Sequence, residues 1–405
     1  MSQVAASGPL ARSVTPALTL TLALSCGLIV ANLYYAQPLV GPIGAALHLP
    51  SVETGLLVTM TQLGYGLGLL LLVPVGDLIE NRRVAGASIA CAGLALIVMA
   101  LAQSAVVFLA ATLVLGVACT SVQILLPFAA HFTSDADRGR VIGSLTSGLM
   151  LGIMLARPLA SFVTYTAGWR PVFAGSAVLM GVVAVVLMVL MPSYRPVTRL
   201  SYLGILGSLP GLLRDVPILR RRAAYHAALY ASFSLFWTAV PLLLASEPFG
   251  LSQGGIALFA LAGTGGVIIA PIAGVIADRG WTLPATGLAI TAVLAAFAIA
   301  LAGGALHSIA LLVAAAILID AGLVINFVLS QRAIYGPRPE SRSRIGGLFT
   351  AIFFTGGAAG SALAAASLVL GGWQLTTFIG MGFAASALAL YAGEVFGGRK
   401  LGARS

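Results

Sequence analysis

The sequence predicts an all-α membrane protein, with twelve transmembrane helices arranged as two pseudo-symmetric six-helix bundles, and three observations predict it. Of the 405 residues, 60% are hydrophobic and 8% are charged, against about 25% charged in a soluble domain. Apolar runs of roughly 20 residues, long enough to cross a bilayer as helices, recur along the whole chain. The two halves of the chain also echo one another at an offset of 201–204 residues.

The first run, 18–39, follows Arg12 as a leader would, but it continues without a small-residue cleavage site and reads as a retained span. Runs at 54–75, 84–103, 106–129, 141–164 and 171–191 complete a first bundle over residues 1–191. The longest hydrophilic stretch follows, "PSYRPVTRLSYLGILGSLPGLLRDVPILRRR", with six Arg against one Asp. It reads as a linker over 192–222, with a short amphipathic helix near 203–213 lying on the membrane surface. Runs at 224–245, 255–277, 283–303, 308–330, 346–369 and 374–396 form the second bundle, within residues 223–405. Their glycines and prolines are tolerated in a lipid-embedded bundle, and none shows the alternation of a membrane β-strand.

The basic residues test this count, because Lys and Arg concentrate in cytoplasmic loops. With both termini inside, 19 of the 21 basic residues fall on the cytoplasmic side: Arg12, Arg82, Arg83, Arg138, Arg140, the six linker arginines, Arg279, Arg332, Arg338, Arg342, Arg344, Arg399, Lys400 and Arg404. Arg170 falls outside and Arg157 lies within a run. The net charge of +10 is thereby topological, and no nucleic-acid partner is needed to explain it. Cys26, Cys91 and Cys119 all lie in apolar runs and read as packing residues.

The echo between halves is carried by motifs. Asp77 corresponds to Asp278, "DADRGRVIGSL" to "PESRSRIGGLF", and "AGWRPVF" to "GGWQLTTF". In "GVIADRG", Gly274, Asp278 and Arg279 stand between runs eight and nine; "VPVGDLIENRR" between runs two and three keeps Asp77, Arg82 and Arg83 but has Leu78 and Glu80 where a motif of this kind usually has Arg and Gly. In these motifs and over essentially its whole length the chain resembles the major facilitator superfamily, within it the bacterial drug:proton antiporter and arabinose-efflux-permease-like group. The resemblance implies a cytoplasmic gating latch made by Asp77, Arg82, Arg83, Gly274, Asp278 and Arg279. It also implies that spans one, four, seven and ten line a central cavity. Where the drug exporters carry Gly-Pro in span five, this chain has Arg157-Pro158.

Two charges lie deep in apolar runs. Arg157 costs about 2.5–3.5 kcal/mol at mid-membrane on insertion scales unless it faces protein or water. Three roles are open to it: snorkelling outward, a structural ion pair, or direct work on substrate or proton. Asp320, about ten residues from either end of its run, cannot snorkel. A carboxylate there is either a proton carrier, tuned by burial and by a cation such as Arg157, or a structural acid. Polar candidates for the cavity are Asn32, Tyr34, Tyr35, Gln37, Gln123, Tyr230, Trp237 and Asn326. Trp237 and the tyrosines equally suit an interfacial belt, and His226 reads as a membrane-edge residue.

Lys400 is the one lysine, so there is no phosphate-binding loop of the Gly-Lys-Ser/Thr type, and no His/Cys cluster suggests a metal. No nucleophile stands beside a convincing base. The expectation is therefore a non-enzyme without cofactor: a monomeric, multi-pass protein of a bacterial inner membrane. It would move a small amphiphilic or drug-like molecule outward by proton-coupled alternating access. A sugar or metabolite permease on the same fold, and a non-transporting sensor or scaffold, are the alternatives.

Overall fold

The computed structural model describes residues 15–196, 201–263, 265, 269–336 and 341–402. Arg12, Arg199, Arg338 and Arg404 lie outside the described residues, as do Pro339 and Glu340 of the second-half motif and four positions of the eighth run.

Among the described residues every regular element is helical. In order they are α1 (Pro16–Ala31), a 3-10 turn (Gln37–Leu39), α2 (Val40–Ala46), a second 3-10 turn (Ser51–Glu53), α3 (Leu56–Leu71), α4 (Val73–Gly76), α5 (Asn81–Leu101), α6 (Ala105–Cys119), α7 (Val122–His131), α8 (Asp135–Ala167) and α9 (Arg170–Leu190). Then come α10 (Tyr202–Asp215), α11 (Pro217–Ala245), α12 (Gln253–Gly263), α13 (Ala270–Asp278), α14 (Thr282–Ala305), α15 (Ile309–Tyr335) and α16 (Arg342–Gly402). Nine described segments are long and apolar enough to cross a membrane by themselves, one of them 54 residues long. That one holds two crossings, because α16 breaks at Gly371–Gly372, where Gly372 takes a φ of 63°. A left-handed backbone is open to glycine at little cost. With α1 and the α12–α13 pair, the twelve runs are all accounted for.

Helix starts follow ordinary capping chemistry. Side-chain oxygens of Thr15, Ser104, Ser201 and Ser308 accept the first free backbone N–H groups of α1, α6, α10 and α15, and Pro16 and Pro217 sit in first turns where no donor is lost. Large apolar side chains such as Leu94, Val106, Val185 and Leu288 are exposed around the outside, as a lipid-facing surface requires.

Within each half the helices meet through small residues. Gly148 of α8 packs on the Ala23 backbone of α1, and Gly152 on that of Gly27; in the second half Gly356 and Gly360 of α16 pack on Ala227 and Ala231 of α11. At each point an added methyl would strike backbone, so these are close small-residue seams. The halves meet each other through α3 against α16 and α8 against α12. The linker helix α10 does not lie free on a membrane surface. Its Ile205 and Leu212 are buried, Tyr202 donates to the Leu71 carbonyl of the first half at 3.0 Å, and Ser208 accepts from Arg344 of the second half at 2.9 Å. It straps the two halves together at the arginine-rich end.

Candidate functional site

The helix of the first span does not run through. After Ala31 the chain turns at residues 32–36 before the 3-10 turn at Gln37. Interrupted spanning helices put polar groups at the membrane centre, and here the break carries Tyr34 and Gln37 inward. Gln37 is fully buried, and its Oε1 accepts from Nε of Arg157 on α8 at 2.8 Å. The guanidinium, 5% exposed, lies over three rings: Trp237 at 4.4 Å, Phe233 at 5.0 Å and Tyr34 at 5.1 Å to the centroids. Each such contact contributes about 0.5–2 kcal/mol, most when desolvated.

Trp237 of α11 then does a second thing. Its indole Nε1 donates to Oδ1 of Asp320 on α15 at 2.8 Å. The two mid-membrane charges are thus joined through an indole, which takes the cation on its face and the carboxylate on its edge. Each stands within Coulombic reach of the other. Arg157 belongs to the first half, and Trp237 and Asp320 to the second, so the arrangement spans the seam between them. Arg157 neither snorkels nor forms a direct ion pair.

Other sequence candidates divide clearly. Tyr34 reaches across the seam to Tyr230, hydroxyl to hydroxyl at 3.3 Å, and Tyr230 stacks on Phe233 at 5.4 Å. Tyr34, Gln37, Tyr230 and Trp237 therefore converge on the charge pair, and Trp237, 2% exposed, is no interfacial belt residue. Asn32 is used up within the first half: it donates to the Leu28 carbonyl at 2.8 Å and accepts from Ser176 of α9 at 2.7 Å, and Tyr35 turns toward the same Ser176. Gln123 donates to the Tyr65 hydroxyl at 3.3 Å. Asn326 bonds Nδ1 of His226 at 2.8 Å. That His226 is 1% exposed, among Phe327, Phe349 and Phe353; it is a core residue, and the membrane-edge reading of it fails because the helix turns it inward.

At the arginine-rich end the latch residues take other partners than the motif suggested. Arg82 and Arg83 both pair with Glu80, at 3.3 and 2.8 Å. Asp77 is half-buried beside a small cleft lined by Pro74, Ile205, Leu209 and Arg344, so its electrostatic partner is Arg344 on the other half. Burial raises the Asp77 carboxyl above its ordinary range, and Arg344 pulls it partly back. Asp278 pairs with Arg332 of α15, while the half-buried Gly274 has open space where a side chain would go. In both copies the aspartate reaches a more distant arginine than the one in its own loop.

Several groups were missed in sequence. Gln62 of α3 donates to Ser234 of α11 at 2.8 Å, and Thr59 meets Ser361 at 2.9 Å; both bonds tie the halves together away from the arginine-rich end. An amide inside "LLVTMTQLGYGLGLLL" was the signal. Arg222, counted as a loop charge, is buried against Glu394 at 3.3 Å and Thr286 at 2.8 Å. Its signal was the lone acid of the last run.

The sequence profile described as Major Facilitator Superfamily matches residues 22–335. The chain is 36% identical over 360 residues to the "Uncharacterized transporter YgaY" of Escherichia coli O157:H7, covering 89% of this chain and 91% of that one. It is 31% identical over 368 residues to the "Probable transporter SCO4007" of Streptomyces coelicolor, covering 91% and 84%. In three dimensions it is similar to a point mutant of the nucleoside transporter NupG, with a TM-score of 0.75 at 14% identity over 92% of this chain and 99% of that one.

Proposed function

Because the chain belongs to the Major Facilitator Superfamily and is a transporter of that family, we propose that it works as a proton-coupled secondary transporter by alternating access, exporting a small amphiphilic compound from a bacterial cell. Both termini then lie in the cytoplasm, where the arginine-rich end faces, and the single chain is the working unit. The observation that carries this reading is the Arg157–Trp237–Asp320 bridge across the seam between halves. A carboxylate whose counter-charge sits on the other half has its proton affinity set by how the halves stand. Rocking the halves moves Arg157 relative to Asp320, and that couples a proton to the change of access. The sealed contacts Thr59–Ser361 and Gln62–Ser234 support a form closed on the outer side.

The test is proton movement on addition of substrate to proteoliposomes, screened over a compound panel, in the parent and in Asp320→Asn. The expected result is a carried compound whose proton movement falls about a hundredfold in the variant, the scale of losing an essential proton group. Equal coupling in both proteins removes Asp320 as the proton carrier.

A further inference from the structure

The central cluster has an imbalance that proton coupling does not use. Nη2 of Arg157 and Nε2 of Gln37 are both buried and have no hydrogen-bond partner. Nη2 shares its carbon with Nε, and Nε2 of Gln37 shares its carbon with Oε1, so the two free donors flank the one bond that joins these side chains at 2.8 Å. Leaving such groups unmatched costs about 1–3 kcal/mol each, more for a charged one. Both are donors, and one carries positive charge. The surroundings offer ring faces: Tyr34, Phe233 and Trp237 against the guanidinium. Asp320 does not supply the acceptor: it accepts from the Trp237 indole, and Nη2 of Arg157 has no bond to it.

We propose that Arg157 and Gln37 anchor the negatively charged head of the transported compound, a carboxylate, whose aromatic or apolar body lies along Tyr34, Phe233 and Trp237. This rests on the transport reading above and assigns its substrate class. Two oxygens sharing one negative charge match two adjacent donors, one on the guanidinium and one on the neutral Gln37 amide, and a planar body suits the rings. A cationic amphiphile would meet Arg157 with like charge, and a neutral one could bond the donors without answering the guanidinium's charge. A coupling sign follows. When the substrate takes up the guanidinium's charge, the dry centre is neutral only if a proton accompanies it on Asp320. Carboxylate and proton therefore leave together, driven by the outward gradient of the carboxylate rather than by inward proton flow, which departs from the exchange that resemblance to the antiporters implies.

The experiment uses the full chain in lipid nanodiscs, with benzoate, phenylacetate and 1-naphthoate as probes, each beside its amide and its amine counterpart. Binding is read by tryptophan fluorescence and thermal unfolding. The carboxylates should bind about tenfold or more tightly than their amides, the scale of a charge-assisted bond, and the amines should not bind. Arg157→Gln should abolish that preference. Gln37→Glu keeps an acceptor for Nε of Arg157 and so preserves the fold, while its own carboxylate occupies the anchor; it should lose the preference about tenfold with an unchanged unfolding midpoint. Amides equal to carboxylates, preferred amines, or a Gln37→Glu protein that still selects carboxylates overturns the assignment. The two proposals fail separately. Carboxylate selection without proton movement removes the coupling and keeps the anchor; proton movement driven by an amine removes the anchor and keeps the coupling.

Discussion

Among the described residues two arginines are buried, and they are kept in opposite ways. Arg222 has one buried nitrogen unmatched, its Nε, but its charge is paired directly with Glu394 and it bonds Thr286, all three on second-half helices. Arg157 has an amide and three rings around it, one nitrogen unmatched, and its nearest acid one indole away in the other half. A charge that only holds helices together is answered on the spot, within one body. A charge whose counter-charge lies across the boundary between the two halves is available to something that comes and goes.

That contrast can be broken by experiment, and the largest effect expected is on stability. Glu394→Gln strands a buried guanidinium and should cost about 3–5 kcal/mol, seen as a large fall in the thermal midpoint of purified protein. Asp320→Asn should shift the midpoint by less than about 1 kcal/mol, since Asn still offers Trp237 an oxygen. Equal losses would erase the distinction between the two arginines. Trp237→Phe is sharper still. It keeps a ring face for Arg157 and removes the N–H donated to Asp320, so proton coupling should fall about tenfold while stability holds; unchanged coupling would mean the indole is only a spacer.

The smallest effect concerns the strap region. Burial outweighs Arg344 and leaves the Asp77 carboxyl raised, so the arrangement that buries it is favoured when it is protonated and weakens as pH rises through that raised value. Asp77→Asn should fix the protonated behaviour, lowering transport by about two- to fivefold with membrane insertion intact. It should also remove the pH dependence of maleimide labelling at a Ser343→Cys reporter beside the cleft. Transport equal to the parent's would take the latch out of the cycle.

The fold was largely legible because a bilayer imposes length and polarity on every span, and the arginines mark the loops. Even the short helix expected at 203–213 forms, over Tyr202–Asp215. What composition could not reveal was pairing over distance: that Gln37 bonds Arg157, 120 positions away, or that Trp237 stands between two charges. Nor could it say which way a helix turns His226, because that depends on neighbours rather than on the local apolar run. Asn32 and Gln123 find their partners within the first half for the same reason. A polar group in an apolar helix must find a partner, and sequence shows the need without showing which side answers it.

The glycine seams have a mechanical consequence. Where Gly152 lies on Gly27, and Gly360 on Ala231, backbone touches backbone, and no rotamer can swing to absorb sliding. Joints of that kind are stiff. The surface between the halves carries such a contact at Gly55 on the Ser361 backbone, and beside it hydroxyl and amide pairs such as Thr59–Ser361 and Gln62–Ser234, which water can replace one for one. On the proposed alternating-access cycle, a methyl added to a seam within one half should jam assembly, whereas loss of a hydroxyl or amide pair between the halves should change how fast they rock.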